Sequence, residues 1–239
     1  DDLYGIENLQ FSDLTIVQGI AIPLADQSAT EDTAFQYQIP ANSLISMQGS
    51  TLTYTATLAN GNVLPTWLNF NTVTQTFSGT PQNANVGLLS LKVTGTGSNG
   101  DVVSDLFNLT VANTNDVPTA SNSTLSTKED TTKVLNASDF GFSDVDTGDT
   151  FPSITITTLP VAGNLKLNGV AVIANQSITS TDITAGKLAF TPATNANGTN
   201  YASFGFKVSD GTALSTAAYT MTINVTAVND APTITSGTT

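Results

Sequence analysis

Apolar residues recur at every second position in short runs along this chain. Leu52, Tyr54, Ala56 and Leu58 alternate with threonines, and Leu89, Leu91 and Val93 keep the same spacing, as do Phe107, Leu109 and Val111. In the later half Ile154 and Ile156, Leu165 and Leu167, then Phe204, Phe206 and Val208 follow the same rule, and Tyr219, Met221, Ile223 and Val225 extend it. A period of two sets one face of an extended strand on a core and the other toward water. Turn-forming residues separate the runs: Asn60-Gly61-Asn62, Ser98-Asn99-Gly100-Asp101, Asn168-Gly169, Asn197-Gly198 and Asp210-Gly211. Short alternating strands punctuated in this way predict an all-β sandwich architecture. No helical period longer than a turn stands out, and Ser180-Thr181-Asp182 predicts one capped helical turn.

The pattern repeats. VANTNDVPT, from Val111 to Thr119, returns as VTAVNDAPT from Val225 to Thr233, each placing Asn-Asp-X-Pro directly after an alternating run. Proline cannot continue a central strand and Asn-Asp favours a turn, so each marks the end of a unit. The starts match too: SATEDTAF (Ser28 to Phe35) is echoed by STKEDTTKV (Ser126 to Val134), with Glu31-Asp32 answering Glu129-Asp130. The expected organisation is an N-terminal segment 1–19, a first domain 20–116 and a second domain 117–239. A repeat of about one hundred residues suits a sandwich domain and is too long for a solenoid unit.

Composition removes whole classes of function. The 239 residues contain no cysteine and no histidine. Disulfides, thiolate chemistry, His-based zinc sites and imidazole acid–base catalysis are therefore excluded, and the chain is expected not to be an enzyme. The net charge is −13 with six Lys+Arg, which argues against nucleic acid or an anionic membrane as partner. No apolar run approaches the ~20 residues of a membrane span, and no signal peptide is visible. The ends read like those of a segment cut from a longer chain. Six Asn-X-Ser/Thr sequons are what chance gives in so Asn- and Thr-rich a chain, and glycosylation is not expected.

Against this charge-poor background (10% charged residues) one stretch is dense in acid: FSDVDTGDT, Phe142 to Thr150, with Asp144, Asp146 and Asp149. Like charges so close together repel, and burial makes the repulsion worse. Either the loop is fully solvated, its aspartates capping backbone amides, or a cation sits there. Side chains two apart on an extended segment point the same way, so Asp144 and Asp146 converge. Calcium needs six to eight oxygens, more than one loop supplies. An EF-hand is ruled out, because its bidentate Glu at position twelve would fall on Thr155.

These residues resemble known families. Leu64-Pro65-Thr66-Trp67-Leu68-Asn69-Phe70, Thr76-Phe77-Ser78-Gly79-Thr80-Pro81 and Asn115-Asp116-Val117-Pro118 make the first unit similar to a dystroglycan-type cadherin-like domain. Lys128-Glu129-Asp130, FSDVDTGDT, LNGVAV (Leu167 to Val172), GKLAFTP (Gly186 to Pro192) and Asn229-Asp230-Ala231-Pro232 make the second similar to the cadherin-like tandem repeat of large bacterial surface proteins. Asp2 to Asp13 resembles the segment that closes a block of RTX nonapeptides, although no nonapeptide is present; residues 1–19 also read as a linker or an edge strand. The resemblance implies two tandem Ig/cadherin-like Greek-key β-sandwiches in an RTX-type secreted adhesin.

It also implies a ligand set. In cadherin-like tandems calcium sits at the junction between domains. The matching positions are Glu31, Asn115 and Asp116, Asp144 and Asp146, and Asp210, with Asp149 expected to position the loop. The region around Asn83 replaces an acidic upstream motif, leaving one ligand short. Leu44 to Ser50 and Thr94 to Ser98 stand where the first unit would carry its own acids, so nothing is expected to dock there through calcium. Glu129, Asn229 and Asp230 would serve a second site shared with a following domain, half a site on their own.

The expected function is that of a calcium-rigidified extender segment of a bacterial cell-surface or secreted adhesin, extracellular, with Ca²⁺ as the bound ion. Its partners would be the adjacent domains of the same large protein, and the chain itself a monomer. A glycan- or protein-binding module, with a glycan or a cell-surface protein as partner, and an accessory module of a secreted RTX-type enzyme remain alternatives. Trp67 could be a sugar platform, but its setting between Leu64 and Leu68 favours a core role.

Overall fold

The structure, a computed structural model, describes residues 8–11, 14–17 and 19–231. It divides into two units, Asp1–Thr114 and Asn115–Thr239. The first begins with a hairpin of β1 (Asn8–Phe11) and β2 (Leu14–Val17), antiparallel with Asn8 opposite Val17. The likeness of Asp2 to Asp13 to the close of an RTX block falls mostly outside the described residues.

The first sandwich follows with β3 (Gln27–Thr30), β4 (Phe35–Gln38), β5 (Leu52–Leu58), β6 (Leu68–Asn71), β7 (Thr76–Gly79), β8 (Gly87–Gly97) and β9 (Val102–Ala112). One sheet has the order β3-β9-β8-β5 and the other β4-β7-β6. β3 runs parallel to β9, with Gln27 opposite Leu109, while the other neighbours are antiparallel. The alternating residues meet between the sheets: Leu91, Val93, Phe107 and Leu109 from one, Phe77 from the other. Phe77 meets Phe107 edge-on, ring centroids 5.5 Å apart. Trp67 is partly buried against this core. A side chain on Gly79 would lie 1.9 Å from the Trp67 carbonyl, so only glycine lets β7 pass there.

The second sandwich contains β10 (Ser123–Lys128), β11 (Lys133–Val134), β12 (Ser153–Thr158), β13 (Asn164–Leu167), β14 (Val170–Ala171), β15 (Ser177–Thr179), β16 (Leu188–Thr191), β17 (Gly198–Ser209) and β18 (Tyr219–Thr226). Its sheets have the orders β10-β18-β17-β12-β15 and β11-β16-β13-β14. Again the opening strand pairs parallel with the closing one, Ser123 opposite Met221. Both units are thus the β-sandwiches that the period of two predicts. The Asn168-Gly169 hairpin has both residues at positive φ, 50° and 82°, as a two-residue loop between β13 and β14 requires. The α-helix among the described residues, α1 (Ser180–Thr184), lies where Ser180-Thr181-Asp182 predicts a capped turn; Thr179 is the cap, its hydroxyl accepting the Asp182 amide at 3.1 Å. No helix among the described residues is long and apolar enough to cross a membrane.

Candidate metal centre

The acidic loop of the second unit is clamped at both ends by aromatic packing. Before it, a 3₁₀ turn (Ala137–Phe140) is closed by Asp139 accepting the Asn136 amide. Ser143 then forms an isolated bridge with Thr119. Phe142 and Phe151 flank the aspartates in sequence, their rings 5.4 Å apart, and both pack on the core that holds Phe140. Between these anchors Asp144 Oδ1 accepts the Asp146 amide at 3.0 Å, an Asx turn that tightens the loop. Gly148, at φ 99°, turns the chain back and brings Asp149 toward Asp144.

Asp210 arrives from elsewhere in the fold. It follows β17, and its Oδ1 accepts the amides of Thr212 and Ala213 at 2.5 and 2.7 Å. Its Oδ2 accepts the side-chain amide of Asn115 at 3.1 Å, and Asn115 also donates to the Asp116 carbonyl at 2.6 Å. The Asp116 amide in turn donates to Asp146 Oδ2 at 2.7 Å. The Asn-Asp pair that opens this unit is therefore bonded to the acidic loop and to the residue after β17.

Asp144, Asp149 and Asp210 each present a carboxylate oxygen within 4.8 Å of the other two. Among the described residues no lysine pairs with any of the three; the ion pair Lys187–Asp182, at 2.7 Å, lies elsewhere. Asp144 Oδ2 is buried and accepts no hydrogen bond. Partial loss of water, and then the charges of Asp144, Asp146 and Asp210, push the Asp149 carboxyl above the ordinary aspartate range. At Asp210 the loss of water acts in the same direction, but the amides of Ala213, Thr212 and Asn115 outweigh it and hold the group low. Oxygen-only donors, carboxylate and amide, suit a hard cation such as calcium and offer nothing that favours zinc or copper. An orphaned buried oxygen in the middle of that set fits such an ion. Asp149, which the sequence reading assigned to positioning the loop, stands inside the cluster; Gly148 one residue before it was the available signal.

Glu31 lies in the first unit and is 1% exposed. Its Oε1 accepts the Thr114 amide at 2.6 Å, and its Oε2 is buried without a hydrogen-bond partner. Glu129 holds the equivalent place in the second unit, its Oε1 accepting the Val228 amide at 2.5 Å. Asn229 donates to the Asp230 carbonyl at 3.2 Å, as Asn115 does to that of Asp116. One acid escaped the sequence reading. Asp101 leaves the turn between β8 and β9 and accepts hydrogen bonds from Ser46 and Ser50, in the region expected to lack acidic groups. Two hydroxyl donors satisfy that carboxylate, so it forms a hydrogen-bonded clasp rather than an open ligand set.

Residues 16–112 match the family described as "Putative Ig domain", and residues 118–226 match "Cadherin-like". The chain carries an Ig-like domain followed by a cadherin-like domain. No curated protein matches it. Similar solved structures include human mucin-like protocadherin EC1-2, 16% identical over 84% of this chain and 95% of that one, TM-score 0.49. Drosophila N-cadherin EC1-4 is 16% identical over 85% and 48%, TM-score 0.47. The endo-fucoidan hydrolase MfFcnA4 of glycoside hydrolase family 107 is 22% identical, TM-score 0.35, and the chain spans 28% of its length. The cadherin-like domain is the one that contains the Asp144, Asp149 and Asp210 cluster.

Proposed function

We propose that this chain is a calcium-rigidified structural segment of a large extracellular bacterial adhesin of the RTX type, its Ig-like part being dystroglycan-like. Calcium is held at the interdomain junction, as the cadherin resemblance implies, and the adjacent domains of the same protein are its partners. The observation that carries the reading is the convergence of Asp144, Asp149 and Asp210 within 4.8 Å, with one buried oxygen of Asp144 unpartnered. Asp146 and the Asn115-Asp116 pair are bonded to this cluster or beside it, and in the Ig-like unit Glu31 has a buried oxygen without a hydrogen-bond partner. Binding of calcium neutralises the acids and immobilises the linker residues. The mechanical role follows: a filled linker holds a fixed angle, and the segment sets the distance of whatever module lies beyond it. Because the ion binds only the folded arrangement, it also raises stability, by about 2.7 kcal/mol at a hundredfold excess over Kd.

The test is calcium titration by calorimetry on the chain and on Asp144→Asn, with X-ray scattering in calcium and in chelator. The expected result is heat of binding that Asp144→Asn abolishes or weakens at least tenfold, and a distance distribution that broadens on chelation. Superimposable scattering curves and no binding heat at millimolar calcium would remove the proposal.

A further inference from the structure

Both units carry the same short motif after a Thr-Pro pair: Asn83-Ala84-Asn85 after Thr80-Pro81, and Asn195-Ala196-Asn197 after Thr191-Pro192. Both also place their early acidic pair in one backbone setting. Glu31 N donates to Ala112 O at 3.1 Å and Glu129 N to Thr226 O at 2.9 Å, and the next residues, Asp32 and Asp130, have φ of 56° and 58°.

The likeness stops at the second asparagine. In the cadherin-like unit Asn197 Nδ2 donates to Glu129 Oε2 at 2.8 Å. The Asn195 backbone amide donates to Asp130 Oδ1 at 3.0 Å. The Asn195 side-chain nitrogen, turned toward the acids, reaches Asp130 Oδ2 and Asp230 Oδ2 at 3.1 Å each. Glu129, Asp130 and Asp230 each receive at least one amide hydrogen from this loop. In the Ig-like unit Asn85 serves its own 3₁₀ turn instead, its Oδ1 accepting the Gln82 amide at 2.9 Å, and Glu31 Oε2 has no hydrogen-bond partner.

We infer that Asn195 and Asn197 are an amide lock: they hold Glu129, Asp130 and Asp230 together by donated hydrogens, so that this end of the cadherin-like unit is set without a cation. The inference rests on the calcium reading only for its contrast, since it restricts metal to the other acidic set. Hydrogen bonds from amides to charged carboxylates are among the stronger ones. Asn195 bridges two segments that the fold brings side by side, the corner after β10 and the chain leaving β18, which are parallel neighbours. The lock therefore fixes the direction in which the chain leaves this unit. The two amides orient the three carboxylates by hydrogen bonds and leave their charge in place.

The experiment follows the full chain by NMR through a calcium titration. The side-chain NH₂ signals of Asn195 and Asn197 and the Val228 amide should stay in place while the amides of Asp144, Asp146, Asp149 and Asp210 shift. Asn195→Ala and Asn197→Ala should each lower the melting temperature by about 4 °C or more, equally in calcium and in chelator. Asn195→Asp with Asn197→Asp, which removes both donors and adds two carboxylates, should bind an additional calcium ion and become more sensitive to chelator. Movement of the Asn195, Asn197 and Val228 signals with calcium in the unaltered chain would overturn the lock, as would alanine variants whose melting is unchanged in both conditions. Should the four aspartates ignore calcium while the alanine variants still melt lower in chelator, the calcium reading falls and the lock stands.

Discussion

Asp210 accepts a hydrogen bond from the side chain of Asn115 at 3.1 Å, across 95 positions of sequence. One carboxylate thereby ties the first residue of the cadherin-like unit to the turn that follows β17. Its other oxygen is spent on the amides of Thr212 and Ala213, which fix its orientation. An acid held so firmly on the protein side is aimed before any ion arrives.

Asp210→Ala removes that aim together with a proposed ligand. Calcium affinity should fall about tenfold or more, ~1.4 kcal/mol. Asn115→Ala leaves the Thr212 and Ala213 caps intact and should cost less affinity. Calorimetric titration of the two variants side by side checks the order; equal losses would show that Asn115 acts as a ligand in its own right.

Asp149 should affect stability in opposite directions with and without calcium. In chelator its carboxylate suffers a partial loss of water and, after that, repulsion by Asp144, Asp146 and Asp210, so its folded-state pKa lies above 3.8. A raised aspartate pKa means a destabilising contribution at neutral pH that fades as pH falls through the folded value. Asp149→Asn should therefore melt higher than the parent in chelator at pH 7, and gain less than the parent on adding calcium. Thermal melts in the two buffers measure both signs.

At Asp101 the sign is reversed. The hydroxyl of Ser46 is the main cause that holds its carboxyl below 3.8, with Ser50 and backbone amides adding to it against a partial loss of water. A depressed pKa gives stability that is present above the unfolded value and is lost as pH falls through the folded one. Ser46→Ala should move the Asp101 titration upward in an NMR pH series and flatten the acid-side stability profile, independently of calcium.

Asp105 stands at a core-facing position of β9, between Val103 and Phe107, where the alternation calls for an apolar residue. It accepts the Leu24 amide at 2.8 Å and so fastens the segment leading into β3. Asp105→Ala leaves that amide unsatisfied and should cost about 1–3 kcal/mol in denaturant unfolding. Burial first, and the Asp105 charge second, raise the Tyr37 phenol, so the same variant should lower the Tyr37 titration midpoint measured by ultraviolet absorbance.

Strand periodicity made the two sandwiches legible, because a half-buried sheet needs one apolar face and a one-residue slip would turn it to water. Asn-Asp-X-Pro and the Glu-Asp pairs marked where each unit closes and opens, since their backbone preferences are local. Local rules also placed the hairpin at Asn168-Gly169. They also placed the short helical turn at Ser180-Thr181-Asp182, whose cap is the preceding Thr179.

What local rules cannot see is which acids meet. Asp144 and Asp149 come together only because Phe142 and Phe151 pin the loop ends and Gly148 reverses the chain. Asp210 joins them from the far end of a twelve-residue strand. Likewise Asn195, Asp130 and Asp230 form one hydrogen-bonded set only where β10 and β18 lie parallel. Glu31 and Glu129 look alike in sequence, but one retains an unpartnered oxygen and the other is met by Asn197. Charge type is written residue by residue, whereas charge compensation depends on distances of a few ångströms that only the packed sheets establish.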